Sequence, residues 1–205
     1  MRAGKYSDIA EDFKCGENFN CGSFVKIEPN VVVGKNVTID NFAVVRSGVR
    51  LADNVIVEDH AIVNQDSSIG AGTKIGTYSK VGKNVTIGAN CKFTAYCEIR
   101  DKCQLGNNVS MGSRCTLSAT TRIEDNVIMK YSFVVTDTPV IGRESEKKVG
   151  ILKRGAKFGT NVTIMPGVVI GENAEIGACS QVRSDVPDNE VWYGNPAKFF
   201  KKSKS

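Results

Sequence analysis

The side chains able to do chemistry are few in this chain. It has a single histidine, His60, so it cannot build a metal site that needs several imidazoles from one chain. It has seven cysteines, of which Cys91, Cys97 and Cys103 recur every six residues and Cys97 and Cys115 lie eighteen apart. Converging thiolates can bind a soft metal. Cysteine is also a small, readily buried apolar residue, no His or carboxylate joins the set, and a core role is the stronger reading. Cationic groups gather late: residues 143–205 hold eleven Lys/Arg against seven Asp/Glu, leaving +4 there and +1 over residues 1–142. That distribution suits a localised anionic ligand better than a nucleic acid, which needs a broader basic face. The plain alternative is a basic tail of solvated charge.

A period of six residues must position these groups. Every sixth residue from Ile9 to Ile141 is Ile, Val, Leu, Met, Phe or Cys, 23 positions without an exception. At a 41% apolar background, chance gives such a run on the order of 10⁻⁹ of the time. Four residues after each comes a second column, filled by Val, Ala, Ser, Thr or Cys except at Phe13, Phe19, Phe133 and Pro139. One large and one small inward residue per six describes a short strand entering a narrow core. Asn or Gly recurs at the corners (Asn36, Asn54, Gly72, Asn84, Asn108), where positive φ is tolerated. With no helix-length segment between strands, the pattern predicts an all-β parallel solenoid. The register breaks once. Residues 147–151 are surplus before Leu152, Phe158, Ile164, Ile170, Ile176 and Val182 resume the beat, which predicts an ejected loop near 142–152. The solenoid is expected over 1–187, with 188–205 as a C-terminal cap and basic tail. No apolar stretch reaches the roughly 18 residues of a membrane span. The polar start and the odd cysteine count lead us to expect a cytoplasmic protein without disulfides.

The hexads resemble those of the hexapeptide-repeat acyltransferases over residues 9 to about 198. The most specific stretches are Ile-Gly-Glu-Asn-Ala-Glu-Ile-Gly-Ala (170–178), Ser-Asp-Val-Pro-Asp (184–188) and Gly-Asn-Pro-Ala-Lys (194–198). The resemblance implies a left-handed β-helix with three hexads per coil, a homotrimer with active sites between subunits, and acyl-CoA as co-substrate. A narrower likeness, carried by Ile-Glu-Asp-Asn-Val (123–127), Val-Thr-Asp-Thr-Pro (135–139) and Ile-Leu-Lys-Arg-Gly-Ala (151–156), is to members that acylate the amine of a nucleotide-linked deoxysugar. Two departures stand out. The family's Gly-Ala-Gly-Ala reads Gly177-Ala178-Cys179-Ser180, and the histidine that sugar O-acetyltransferases carry in the loop is missing from Thr136-Asp137-Thr138-Pro139.

On that frame, eighteen residues per coil place His60 some four coils below Asp137, roughly 20 Å at ~4.8 Å per strand. A base must come within about 3 Å of its proton, so His60 cannot serve a reaction beside the loop. A hydroxyl acceptor wants a positioned base and an amine does not; the amine is therefore favoured, with Asp137, Tyr131 or a water orienting it. Stepping by eighteen through His60 gives Phe24, Phe42, His60, Tyr78, Tyr96, Arg114 and Ser132. This column is either an aromatic ladder or the place where Tyr78, Tyr96 or Arg114 holds a nucleotide. Ser113, Arg114 and Ser118 match family positions for sugar contacts, and Gly177 and Ala178, with Lys153, Arg154 and Lys198, fall where the coenzyme is expected. The alternatives are a sugar O-acetyltransferase with an unrecognised base and a non-catalytic β-helix scaffold; a β-helix carbonic anhydrase is excluded for want of histidines.

Overall fold

The computed structural model describes residues 2–142 and 146–203. Its strands are almost all two residues long, too short to persist alone, and each is held by a parallel partner eighteen residues further on, as Ile56–Val57 is by Lys74–Ile75. Three flat sheets result, which we call A, B and C in the order the chain visits them. They have twelve, ten and nine strands and close a triangular solenoid; no helix occurs among the described residues, so none there is long and apolar enough to cross a membrane.

Both inward columns fill the prism. In sheet B, Val25 and Ile27 are followed one coil up by Ala43 and Val45, then by Ala61 and Val63, all at most 1% exposed. Each such large side chain contributes about 1.5–3 kcal/mol on burial. Phe133 and Phe158 fill the wide part of the core with ring centroids 4.7 Å apart. The cysteines belong to this interior. Cys91, Cys97, Cys103 and Cys115 are buried and donate their thiols to the carbonyls of Gly106, Gly112, Ser118 and Lys130 at 3.0–3.2 Å. Burial pushes the Cys103 thiol up to about 11. At the open N-terminal end the beat loosens, and Cys15 is exposed.

Most corners turn through one residue with φ between +53° and +78°. The C–A corner uses Asn at most levels, and their amides link coil to coil: Asn18 donates to Asn36 at 3.0 Å and Asn36 to Asn54 at 3.1 Å. At the A–B corner the same backbone position carries Tyr6, Phe24, Phe42, His60, Tyr78 and Tyr96, stacked at 4.6–5.2 Å. The ladder reading of this column holds, with Tyr6 as one rung more than expected.

The loop is longer than the spacing predicts. Ile123 pairs with Leu152, eleven residues beyond the usual eighteen, and Ile141, expected to continue the inward column, is 95% exposed. Pro139 contributes to the difference. In the coil below, Thr121 at the same place donates its N–H to the Ser118 carbonyl at 3.3 Å, and proline has no N–H to do so. The chain therefore leaves the coil after Thr136 and returns at Gly150, whose carbonyl accepts from Arg122. Beyond the last coil, strand Glu190–Gly194 extends sheet A in parallel beside Glu175–Ile176, then folds back on Ala197–Lys202 as an antiparallel hairpin.

Candidate active site

The loop's root is the B–C corner one coil above Ser118. Thr136 ends the strand by accepting nothing new: its N–H and hydroxyl both donate to the Ile164 carbonyl, at 3.0 and 2.9 Å. Asp137 follows, only 8% exposed. Its carbonyl accepts the Lys148 N–H at 3.0 Å, its Oδ1 accepts the Thr138 hydroxyl at 3.0 Å, and Lys147 Nζ stands 3.2 Å from Oδ2. The ammonium approaches Oδ2 off the line of a good hydrogen bond, so this is chiefly a charge contact. Burial by itself would raise the Asp137 pKa. Lys147 and Thr138, with Arg100 further away, outweigh it and hold the carboxyl below the ordinary carboxylate range. The returning limb of the loop packs Lys148 over Gly167, where φ is +78° and an added Cβ would lie 3.0 Å from the lysine Cβ.

Beneath the loop, on the outer face of sheet B, lies a polar hollow of about 290 Å³ floored by Gly82, Ile99 and Ala119 and rimmed by Lys80, Arg100 and Lys147. Glu98 and Asp101 also line it, so it presents both signs of charge. A second groove, about 430 Å³, lies on sheet A in the upper coils between Lys130, Lys157, Gly159, Gly177 and Val191. Gly177 is needed there because a Cβ would lie 2.7 Å from that of Tyr193 in the covering hairpin.

The expected site residues divide among these places. Asp137 sits at the B–C corner, while Tyr131 is 57% exposed at the A–B corner of the same coil, with strand Val134–Val135 between them. Within one chain they do not meet. Ser118 lies on sheet B directly below Thr136, 8% exposed, its N–H on the Val135 carbonyl at 3.3 Å. Ser113 and Arg114 are at the A–B corner, where the Ser113 hydroxyl is 3.0 Å from that of Thr94. Tyr78 and Tyr96 are the upper rungs of the ladder. Lys153 pairs with Asp188 at 3.8 Å, and the Arg154 N–H donates to Glu124 at 2.9 Å, both around the C–A corner. Gly177 and Ala178 end a sheet A strand and open its corner, and Lys198 pairs in the hairpin with Tyr193, which covers Gly177. The coenzyme candidates thus fall into two groups at different corners. His60 is sandwiched between Phe42 at 4.8 Å and Tyr78 at 4.6 Å, four coils below Ser132.

Lys147, Arg100 and Lys80 were not singled out from the sequence. For Arg100 a signal was present: Gly82, Arg100, Ser118 and Thr136 follow one another at eighteen-residue steps. Among the described residues no cluster of three or more His, Cys, Asp or Glu able to hold a metal occurs.

Comparison with known proteins fits this architecture. The chain is 50% identical over 48 residues to a dTDP-3-amino-3,6-dideoxy-alpha-D-galactopyranose 3-N-acetyltransferase of Aneurinibacillus thermoaerophilus, covering 23% of this chain and 25% of that protein. It is 40% identical over 60 residues to a putative lipopolysaccharide biosynthesis O-acetyl transferase of Escherichia coli K12, 29% of this chain and 31% of the other. The matches thus span only a quarter to a third of those relatives. An Arabidopsis UDP-N-acetylglucosamine acyltransferase superposes over 96% of this chain and 72% of its own with a TM-score of 0.70 at 16% identity, a likeness of fold. The bacterial transferase hexapeptide (six repeats) family matches residues 30–65, 66–101 and 151–184, about half of the sequence. With the six-residue beat running through nearly every coil, the chain is a member of the bacterial transferase hexapeptide family.

Proposed function

We propose that this protein is a CoA-dependent N-acyltransferase that moves an acyl group to the amine of a nucleotide-linked amino-deoxysugar. The observation that carries this reading is the root of the loop: an ionised, charge-paired Asp137 stands there, and the chain's one histidine is stacked in a ladder four coils away. A hydroxyl acceptor needs a base to take its proton as it attacks. A neutral amine attacks the thioester carbonyl directly, the tetrahedral intermediate collapses, and the departing CoA thiolate takes up the surplus proton. A carboxylate held below its usual pKa is a weak base. Asp137 therefore orients the amine by accepting its N–H, and Tyr131 hydrogen-bonds from the facing side.

Tyr131 and Asp137 occupy different corners, so one chain does not bring them to a common acceptor. A homotrimer with sites between subunits joins one chain's A–B corner to its neighbour's loop. On this reading Ser113, Arg114 and Ser118 contact the sugar nucleotide. Gly177, Ala178 and Lys198 line the path of the coenzyme, with Lys153 and Arg154 beside its phosphates. The match to the Aneurinibacillus N-acetyltransferase supports the amine acceptor. A second reading, O-acetylation of a sugar, is favoured by the match to the Escherichia coli protein.

Thiol release from acetyl-CoA, measured with a nucleotide-linked amino sugar and with its hydroxyl counterpart, separates the two. Turnover is expected with the amine alone, and preference for the hydroxyl substrate ends the N-acyl reading. Asp137→Asn is expected to lower kcat/KM on the order of tenfold, the loss of one charge-assisted hydrogen bond.

A further inference from the structure

The aromatic ladder covers the faces of its own rings. From Tyr6 to Tyr96 the centroid spacings are 5.1, 5.0, 4.8, 4.6 and 5.2 Å, and successive planes lie within 23° of parallel. Every internal ring, Tyr78 included, has a neighbour on both faces and shows solvent only its edge. Tyr78 therefore offers no face to a base. Tyr96 does. Its lower face meets Tyr78, and among the described residues neither an aromatic ring nor a cation lies over its upper face.

The next residue of the column is Arg114, fixed one coil higher by its N–H on the Ala95 carbonyl at 3.1 Å. Its side chain is exposed and, among the described residues, makes no ion pair or side-chain hydrogen bond. Above it the corner carries only Ser132, Asn161 and Cys179. No ring therefore takes the place of a seventh rung, about 4.8 Å above Tyr96, and the residue at that level, Arg114, carries a planar cation.

We propose that the base of a nucleoside diphosphate stacks on the upper face of Tyr96 as that seventh rung, while the Arg114 guanidinium holds its phosphates. The inference rests on the nucleotide-linked acceptor put forward above and assigns where its nucleotide is held. Stacking on an aromatic face tolerates any base, since every base has a π-face. The guanidinium fork matches two phosphate oxygens at once. The base would then lie one coil below Tyr131 and Ser132, on the same corner as Ser113. The opposite end of the ladder, Tyr6, is stacked among the described residues on Phe24 alone, and so serves as an internal control.

The test is calorimetric titration of the full chain with uridine diphosphate, thymidine diphosphate and thymidine. Tyr96→Ala is expected to weaken diphosphate binding about 5- to 150-fold. Tyr96→Phe, which keeps the face, should stay within about threefold, and Tyr6→Ala should match the unmodified chain. Arg114→Ala should erase the preference for thymidine diphosphate over thymidine. If Tyr96→Ala binds as tightly as the unmodified chain, or Tyr6→Ala loses as much, the stacking site is overturned and the nucleotide-linked acceptor stands. If the unmodified chain binds no nucleoside diphosphate, both are overturned.

Discussion

The A–B and C–A corners make the same demand on the backbone and answer it with different side chains. At the A–B corner φ is +58° at Phe42 and His60 and +61° at Tyr96; at the C–A corner it is +56° at Asn36 and +60° at Asn54. Asparagine enters this region readily and then links its amide to the next coil, so the C–A corner gains on both counts. An aromatic residue there costs about 1–2 kcal/mol of backbone energy, and one stacked pair returns about 0.5–1.5 kcal/mol. The ladder roughly breaks even. Stability alone therefore gives no reason to prefer rings to amides along one corner, whereas an open face at the ladder's upper end does.

The comparison breaks most visibly at the corner built for stability. Asn54→Val puts a β-branched residue at φ +60° and removes the hydrogen bond that Asn36 donates. Strain of about 1–2 kcal/mol and a lost bond of about 0.5–1.5 kcal/mol add to a destabilisation of about 1.5–3.5 kcal/mol in urea unfolding. A loss no larger than that of a ladder substitution would show that the two corners do not differ as argued.

A smaller effect is expected from carrying the asparagine solution into the ladder. His60→Asn relieves the backbone but removes the stacks on Phe42 and Tyr78. The opposing changes leave a net loss of about 1 kcal/mol, read from the same unfolding curves. A gain in stability would mean that the stacks contribute nothing, and that the rings are tolerated only for another role.

Periodic features were legible in the sequence because counting by eighteen is a measurement of height. It places Tyr78 above His60, Arg100 below Ser118 and the five buried cysteines in the core. What the count cannot follow is chain that has left the coil. Ile141 keeps the six-residue beat yet is 95% exposed, and the better signal was Pro139, which cannot close a corner. The meeting of Asp137 with Lys147, ten residues on, depends on how the loop returns, and no period encodes that. The hairpin is similar: Lys198 comes near Gly177 only through Tyr193, because the last strands change direction. The candidate site straddles these two regimes. Its corner residues were readable; the residues that hold the loop in place were not.

The third corner sharpens the contrast because charge does there what stacking and amide ladders do elsewhere. Asp137 has its pKa lowered in the folded chain, so its contribution is fully present above the unfolded value, near 3.8, and disappears as the pH falls through the lower folded value. The lysine partner is 60% exposed, so solvent screens the pair and global stability should change by less than about 1 kcal/mol in Lys147→Met. The local effect is larger. The Lys148 amide, donated to the Asp137 carbonyl at 3.0 Å, reports whether the loop is seated. Its hydrogen-exchange protection should hold from neutral pH down to about 4 and fall below that once intrinsic rates are corrected. In Lys147→Met the protection should already be reduced at neutral pH and vary less with acid, since the cation through which the Asp137 charge holds the loop is gone. Equal protection in both proteins at pH 7 would mean that the loop is seated by Thr138 and the packing of Lys148 on Gly167, and that the ion pair only accompanies a fold made without it.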